Sequence, residues 1–203
     1  MTIRRGEAWG EIASLTPAVR RVHGDTGLHE WLQAAMTWPV VERVVAVASG
    51  DLARTLGGGT HGRLDGPVLR APIDVVEVIA GDESVWCASH VVARRSWWRG
   101  EVVLSMNAQF LGERDIAPRS HPNDGKVDVL RVDPSMPVRA RRQAAARART
   151  GSHLPHPHLS MRSVAEVSLT FERPLVIWVD GVRWGSFPEL ALRVRSDAIT
   201  VYA

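Results

Sequence analysis

Only one cysteine, Cys87, occurs in 203 residues, which excludes an internal disulfide framework and fits a reducing compartment. It lies in the apolar run Val85 to Val92, where a thiol reads as buried and inert. Lysine is nearly missing: of 25 basic residues only Lys126 is not arginine. The net charge of +3 is too small to imply a polyanion partner, so nucleic acid is not expected. No apolar stretch is long enough to span a membrane, because the longest, Val40 to Ala48, is broken by Glu42 and Arg43. The start, MTIRRGEAWGE, has no apolar segment behind its arginines, so no signal peptide is expected and the chain reads as cytoplasmic. Also missing are a G-x-S-x-G elbow, a Walker loop with its lysine and the cysteine pairs of a zinc site, which removes the common hydrolase and P-loop readings. There is no internal repeat or low-complexity tract. What remains is an ordinary globular balance of 45% apolar and 23% charged residues, with eight tryptophans.

Periodicity divides the chain. In DTGLHEWLQAAM, Leu28, Trp31, Leu32, Ala35 and Met36 recur at helical spacing, with Asp25 or Thr26 as N-cap. Trp38-Pro39 stops that helix, and VERVVAVA reads as a buried strand entering a turn at Ser49-Gly50. Asp51 is placed to cap a short helix, DLARTL, which the glycines 57 to 59 end. The Gly-rich stretch that follows, through Pro67, is the expected boundary, a mobile connection open to proteolysis. Beyond it come short strands near PIDVVEVIA, VWCASHVVA, EVVLSMNA and KVDVLRV. Val167, Leu169 and Phe171 then alternate with Glu166, Ser168 and Thr170, and Leu190, Leu192 and Val194 repeat the device. The helix-rich insertion PVRARRQAAARART breaks this run. The fold class is α+β, a small α/β lobe over residues 1–66 followed by an antiparallel β-sandwich over 67–203.

Several motifs carry chemistry. HGDTG at 23 to 27 and SGD at 49 to 51 each precede a helix, where free N–H groups attract anions, although both also read as plain connections. His153, His156 and His158 invite a metal reading, which Pro155 and Pro157 oppose by preventing one helical face. The arginines of 139 to 149 read as a solvated helix, since only alanine faces them. Trp97-Trp98, flanked by Arg94, Arg95 and Arg99, forms an aromatic and basic patch suited to a half-wet surface or a lipid interface.

The longest dense motif is MNAQFLGERDIAPRSHPNDGKVDVL, residues 106 to 130, containing Asn107, Pro118, Asp124 and Gly125. It resembles the bacterial diacylglycerol-kinase-like lipid kinases, in which an Asn-containing strand, a Gly-rich turn, Ala-Pro and Asp-Gly follow one another. GSH at 151 to 153 is similar to that family's Gly-x-His, and WVDGV at 178 to 182 to its Asp-Gly-Glu turn. Upstream, GDTGLHEWLQAAM resembles the Gly-Gly-Asp-Gly-Thr signature, and SGDLARTLG the Gly-Thr-x-Asn-Asp-Phe-Ala-Arg segment. There are departures. His23 stands for the first glycine, Thr26-Gly27 reverses the usual order, Val182 stands for the glutamate, and Leu111-Gly112-Glu113 stands where glycines are usual. The family also has a fuller α/β unit before its glycine signature, for which 22 residues leave too little room.

The resemblance implies a diacylglycerol kinase or NAD kinase-like fold with a β-sandwich over about 72 to 203. It implies Asp180 as general base, and Gly24, Asp25, Thr26, Gly27, Ser49, Gly50 and Asp51 as the nucleotide or phosphate loops. It further implies Asn107 and Asp124 as ligand- or metal-linked cleft residues, with Mg and ATP as cofactors if the chain is active. The altered glycine loops remove donors on which phosphoryl transfer relies. We therefore favour a binder of a lipid or phosphorylated small molecule in the interlobe cleft, with weak or lost transfer. The alternative is an active ATP- and Mg-dependent lipid kinase. Contact with a membrane is peripheral at most, and an open sandwich edge is available to pair a homodimer.

Overall fold

The computed structural model describes residues 9–58 and 64–203. The amino-terminal residues 1–8 and the central part of the expected connection, residues 59–63, lie outside the described residues.

Residues 9–58, termed the first lobe, form short elements that pack against later strands of the same sheet. Strands β1 (Glu11–Ser14) and β2 (Arg20–Val22) lead to helix α1 (Gly24–Ala35), which buries Leu28, Trp31, Leu32 and Ala35 at the expected spacing. The cap is a correction: His23 holds the N-cap position without a side-chain bond, and Asp25 lies in the first turn. A second correction concerns VERVVAVA, of which Val40–Glu42 form an exposed 3-10 turn and only β3 (Val44–Val47) is strand. Helix α2 (Asp51–Thr55) follows, with Gly50 rather than Asp51 at its N-cap.

From β4 (Pro67–Ala80) onward the pattern is antiparallel. Ala80 and Glu83 are joined through a two-residue turn to β5 (Glu83–Cys87), after which come β6 (His90–Arg94) and β7 (Val102–Met106). VWCASHVVA is therefore two strands rather than one, split at Ala88-Ser89. A small hairpin, β8 (Phe110–Leu111) with β9 (Arg114–Asp115), precedes β10 (Val127–Val132). Helix α3 (Val138–Arg147) ends in a 3-10 turn, and β11 (Leu159–Val164), β12 (Glu166–Val179) and β13 (Val182–Tyr202) complete the chain.

The main path of the sheet runs β1, β4, β13, β12, β6, β7, β10, β11. It curls so that Val76, Val91, Val129, Leu169, Ile177 and Leu192 meet in one core, inward residues of β-strands alternating with solvated ones. A separate cluster, with Leu28, Leu32, Val45, Leu52, Ile73 and Ile199, fills the first lobe. Strand β13 belongs to both. Residues Ala191 to Arg195 pair with β4 in the sandwich, the register shifts, and Ile199 to Tyr202 pair again with Arg70 to Ile73. Its last residues also lie parallel to Val44 to Ala46 of β3. Among the described residues no helix is long and apolar enough to cross a membrane.

Candidate functional site

Asp180 and Gly181 link β12 to β13 with φ of 49° and 86°. Two successive left-handed residues make the tight hairpin turn whose twist matches that of the strands, which is why Asp-Gly suits it. The Asp180 side chain is fully buried. Its carboxylate accepts the backbone N–H groups of Ala88 at 2.9 Å, Ser89 at 2.8 Å and His90 at 2.9 Å, with the Cys87 thiol at 3.3 Å. Those N–H groups turn inward instead of continuing a ladder, so β5 and β6 separate there. His29 Nδ1 stands 3.7 Å from the same carboxylate. Burial works to raise the Asp180 pKa, but His29, the charge of His90 and the backbone donors outweigh it and hold the group below the usual carboxylate range. Burial, then the adjacent Asp180 charge, pushes the Cys87 thiol well up, as an inert cysteine requires.

Ser89 carries the network outward, its hydroxyl donating to Asp25 at 2.5 Å. The Asp25 carboxylate also accepts Asp51 N–H at 2.7 Å and Leu52 N–H at 3.2 Å, so a residue of α1 satisfies the start of α2. Gly50, at φ 110°, is required there twice over: a Cβ would stand 2.8 Å from Asp25 Oδ2. Gly24 N–H donates to Ser49 Oγ at 3.1 Å. Asp51 accepts Gly112 N–H at 3.0 Å, while Arg54 donates to the Gly112 carbonyl and covers the Phe110 ring at 3.9 Å. Burial raises the Asp51 pKa; Gly112 opposes this and the Asp25 charge adds to it. Thr26 is exposed, with its methyl over the Asp180-Gly181 turn, and Gly27 packs toward Val22.

Asn107 is buried on the sandwich side. Its amide donates to the carbonyls of Asp74 at 2.9 Å and Ala88 at 2.7 Å, and its own N–H donates to Ser89. Asp25, Asp51, Asn107 and Asp180 thus converge through Ala88 and Ser89. Asp124 does not join them: its carboxylate accepts Lys126 N–H within its own loop, and burial raises its pKa. That loop is held by Asp74, which accepts Gly125 N–H at 2.7 Å and Asp197 N–H at 2.9 Å. Sequence reasoning missed Ser89 and Asp74. The available signal was a polar residue inside an apolar run, which seldom occurs without a partner.

A second feature lies under α3. An apolar cavity of about 240 Å³ is lined by residues that include Leu104, Leu111, Leu130, Ala144 and Leu159, with Trp97 and Trp98 at its rim, 40% and 42% exposed. Arg141 corrects the solvated-helix expectation. It is buried, and its guanidinium donates to the carbonyls of Trp97, Gly100, Asp133 and Met136. Planar guanidinium suits such a fork of acceptors. His153 also lines the cavity, buried; burial lowers its pKa, opposed by a hydrogen bond with the Ile116 backbone and by the Asp115 charge. His156 and His158 lie apart from it, their rings 5.8 Å from each other. The cavity reaches the carboxylate network through Leu111, the neighbour of the Gly112 that binds Asp51.

Residues 68–203 match the YegS C-terminal NAD kinase beta sandwich-like domain. No curated protein matches the chain by sequence. Among solved structures, one described as a "putative diacylglycerol kinase" from Bacillus anthracis str. Sterne superposes with a TM-score of 0.68 at 12% identity, over 90% of this chain and 77% of the other. Another, a diacylglycerol kinase from the same organism, gives 0.65 at 14% identity, over 90% and 75%. These likenesses establish a shared diacylglycerol kinase-like fold. Since the matched domain takes in most of the sequence, including Asp74, Asn107, Asp180 and the cavity under α3, the chain belongs to the family of YegS C-terminal NAD kinase beta sandwich-like domains.

Proposed function

We propose that the protein binds a lipid by enclosing an acyl chain in the cavity under α3, and that it transfers little or no phosphate. The cavity carries this reading. An apolar hollow entered past two half-exposed indoles, with the His153 imidazole in its wall, suits a chain that bears a polar group. The bound lipid lies between α3 and the sheet, beside the interlobe junction rather than in it.

The residues of the two glycine loops do not fit Mg and ATP in this arrangement. A phosphate at the start of α2 needs the N–H groups that Asp25 already occupies, and a metal ion needs the Asp25 oxygens that Asp51, Leu52 and Ser89 already engage. A general base needs an oxygen within reach of the substrate hydroxyl. Asp180, buried and holding three backbone donors, supports a structural role in place of the base expected from the resemblance.

The test is displacement of a fluorescent fatty acid from the purified protein, set beside a Mg-dependent assay of labelled phosphate passing from ATP to diacylglycerol. Binding should be strong in the wild type and weakened at least about tenfold by Ala144→Trp, which fills the hollow. Absence of binding would overturn the lipid reading. Transfer that Asp180→Asn abolishes while the protein stays folded would restore the kinase.

A further inference from the structure

We infer that the cavity under α3 takes a single-chain amphiphile whose head is an oxyanion, a carboxylate or a phosphate monoester, held by Arg114. This rests on the lipid reading above and adds to it the charge of the ligand and the way it lies. Three basic side chains, Arg114, Arg141 and His153, line the hollow, and no aspartate or glutamate does. Two of them are engaged: Arg141 donates to four carbonyls, and His153 meets the Ile116 backbone. Arg114 is half-buried, and among the described residues its guanidinium makes neither an ion pair nor a hydrogen bond. The carboxylates beside it in sequence turn elsewhere. Glu113 pairs with Arg149 at 3.3 Å, and Asp115 accepts the Gln109 amide at 2.9 Å. A guanidinium drawn partly out of water without a partner is uncommon, because the desolvation cost is ordinarily offset by a carboxylate. Its planar fork matches two oxygens of a carboxylate or a phosphate.

The cavity has two unlike ends. At one, Arg141 is bonded to the Trp97 carbonyl, and the two indoles form the rim. At the other, the strand β9 that carries Arg114 packs on the 3-10 turn after α3, where Ile116 and Ala148 meet. Leu104, Leu130 and Ala144 line the wall between them. An apolar wall with a guanidinium at one end and indoles at the other fits an acyl chain that runs from a head at Arg114 toward Trp97 and Trp98. The carbonyl end of α3, which alone would repel an anion, is occupied: the Arg147 carbonyl accepts Ser152 N–H at 3.1 Å, and Arg147 itself stands in the last turn. At about 240 Å³ the hollow is small for a ligand site, which favours one chain over two. A neutral lipid with two chains matches it poorly.

Calorimetric titration of the full chain with laurate, lauryl phosphate, lauryl alcohol and laurylamine tests this, since the four differ only in the head. At least one of the two oxyanions should bind the wild type about tenfold or more tighter than the alcohol, as a hydrogen bond to a charged group implies, and the tighter of the two identifies the head. Laurylamine should bind no tighter than the alcohol. Arg114→Ala should cancel the preference while leaving both the affinity for the alcohol and the thermal unfolding transition unchanged. Arg114→Glu should transfer the preference to laurylamine. Arg95→Ala with Arg99→Ala, at exposed positions beside the indoles, should leave it intact. Equal binding of the alcohol and both oxyanions, a preference that survives Arg114→Ala, or one lost with the arginines at 95 and 99 would overturn the inference and leave the lipid reading standing. Failure of all four compounds to bind would end both.

Discussion

At Asp180 one residue combines a left-handed backbone with a carboxylate that organises the two strands opposite it. Alanine there orphans several buried N–H groups at once, so Asp180→Ala should lower unfolding stability by about 3 kcal/mol or more in a denaturant titration. Asp180→Asn should lose less, because asparagine tolerates the left-handed turn and retains one acceptor. Acid separates the charge from the turn. The folded pKa of Asp180 lies below its ordinary 3.8, so its contribution is present above that value and lost as pH falls through the folded pKa. Asp51, Asp74, Asp124 and Asp128 have raised values, chiefly through burial, and act oppositely: each adds stability as pH falls from neutrality through its folded pKa. His121 and His153, lowered by burial, cost stability as pH falls from their ordinary 6.5 and oppose the gain from those aspartates. Asp180→Asn should remove a part of the acid loss that lies below 3.8. An unchanged acid loss would show that Asp180 does not contribute to it.

Among the elements, α3 owes its position to a residue that looks solvent-facing in sequence. Its face toward the sheet is mostly alanine, which buries little area, and Arg141 supplies the anchorage by gathering four carbonyls. Lysine has neither the planar fork nor enough donors for this set. Arg141→Lys should destabilise by about 1–3 kcal/mol and loosen the turn between β6 and β7 before the central strands. Hydrogen exchange resolves this: amides of 97 to 100 should exchange faster while those of β12 and β13 stay protected. Equal acceleration in all of them would mean that Arg141 supports the whole fold and not this docking.

For the molecule as a whole, β13 is the tie. Ile199 and Val201, from the far end of the chain, are buried in the core of the first lobe, and Thr200 to Tyr202 lie between β3 and β4. Without them β3 keeps, among the described residues, only the three-residue β2 as a strand partner. Removing residues 199–203 should therefore melt the first lobe, with proteolysis entering residues 9–58 well before the sandwich. A truncated chain whose first lobe resists protease as the intact chain does would refute this. The stretch 57–67, expected from its glycines to be cut first in the intact protein, gives the reference site for the same experiment.

Legibility followed the range of the interaction. Alternation of Val167, Leu169 and Phe171, the stripe of Leu28, Trp31 and Leu32, and the Asp-Gly turn at 180 are written in neighbours within a few residues, and local sterics and burial suffice to impose them. The motif from 106 to 130 likewise pointed to a family through its own order of residues. Partners were not legible. Asp25 meets Ser89 across 64 positions and Asp180 meets His90 across 90, so no local pattern could say that these carboxylates were occupied by backbone donors and a hydroxyl. Nor could it say that Arg141 was buried or that β13 returned to the first lobe. By itself the sequence determined most of the elements, the fold class and the chemical groups at hand, but not where the strands around Val40–Val47 and Val85–Ala93 break. Only the tertiary structure decided which of those groups are satisfied internally and which surfaces remain open to a ligand, because burial and hydrogen bonding at each site are set by distant segments brought together.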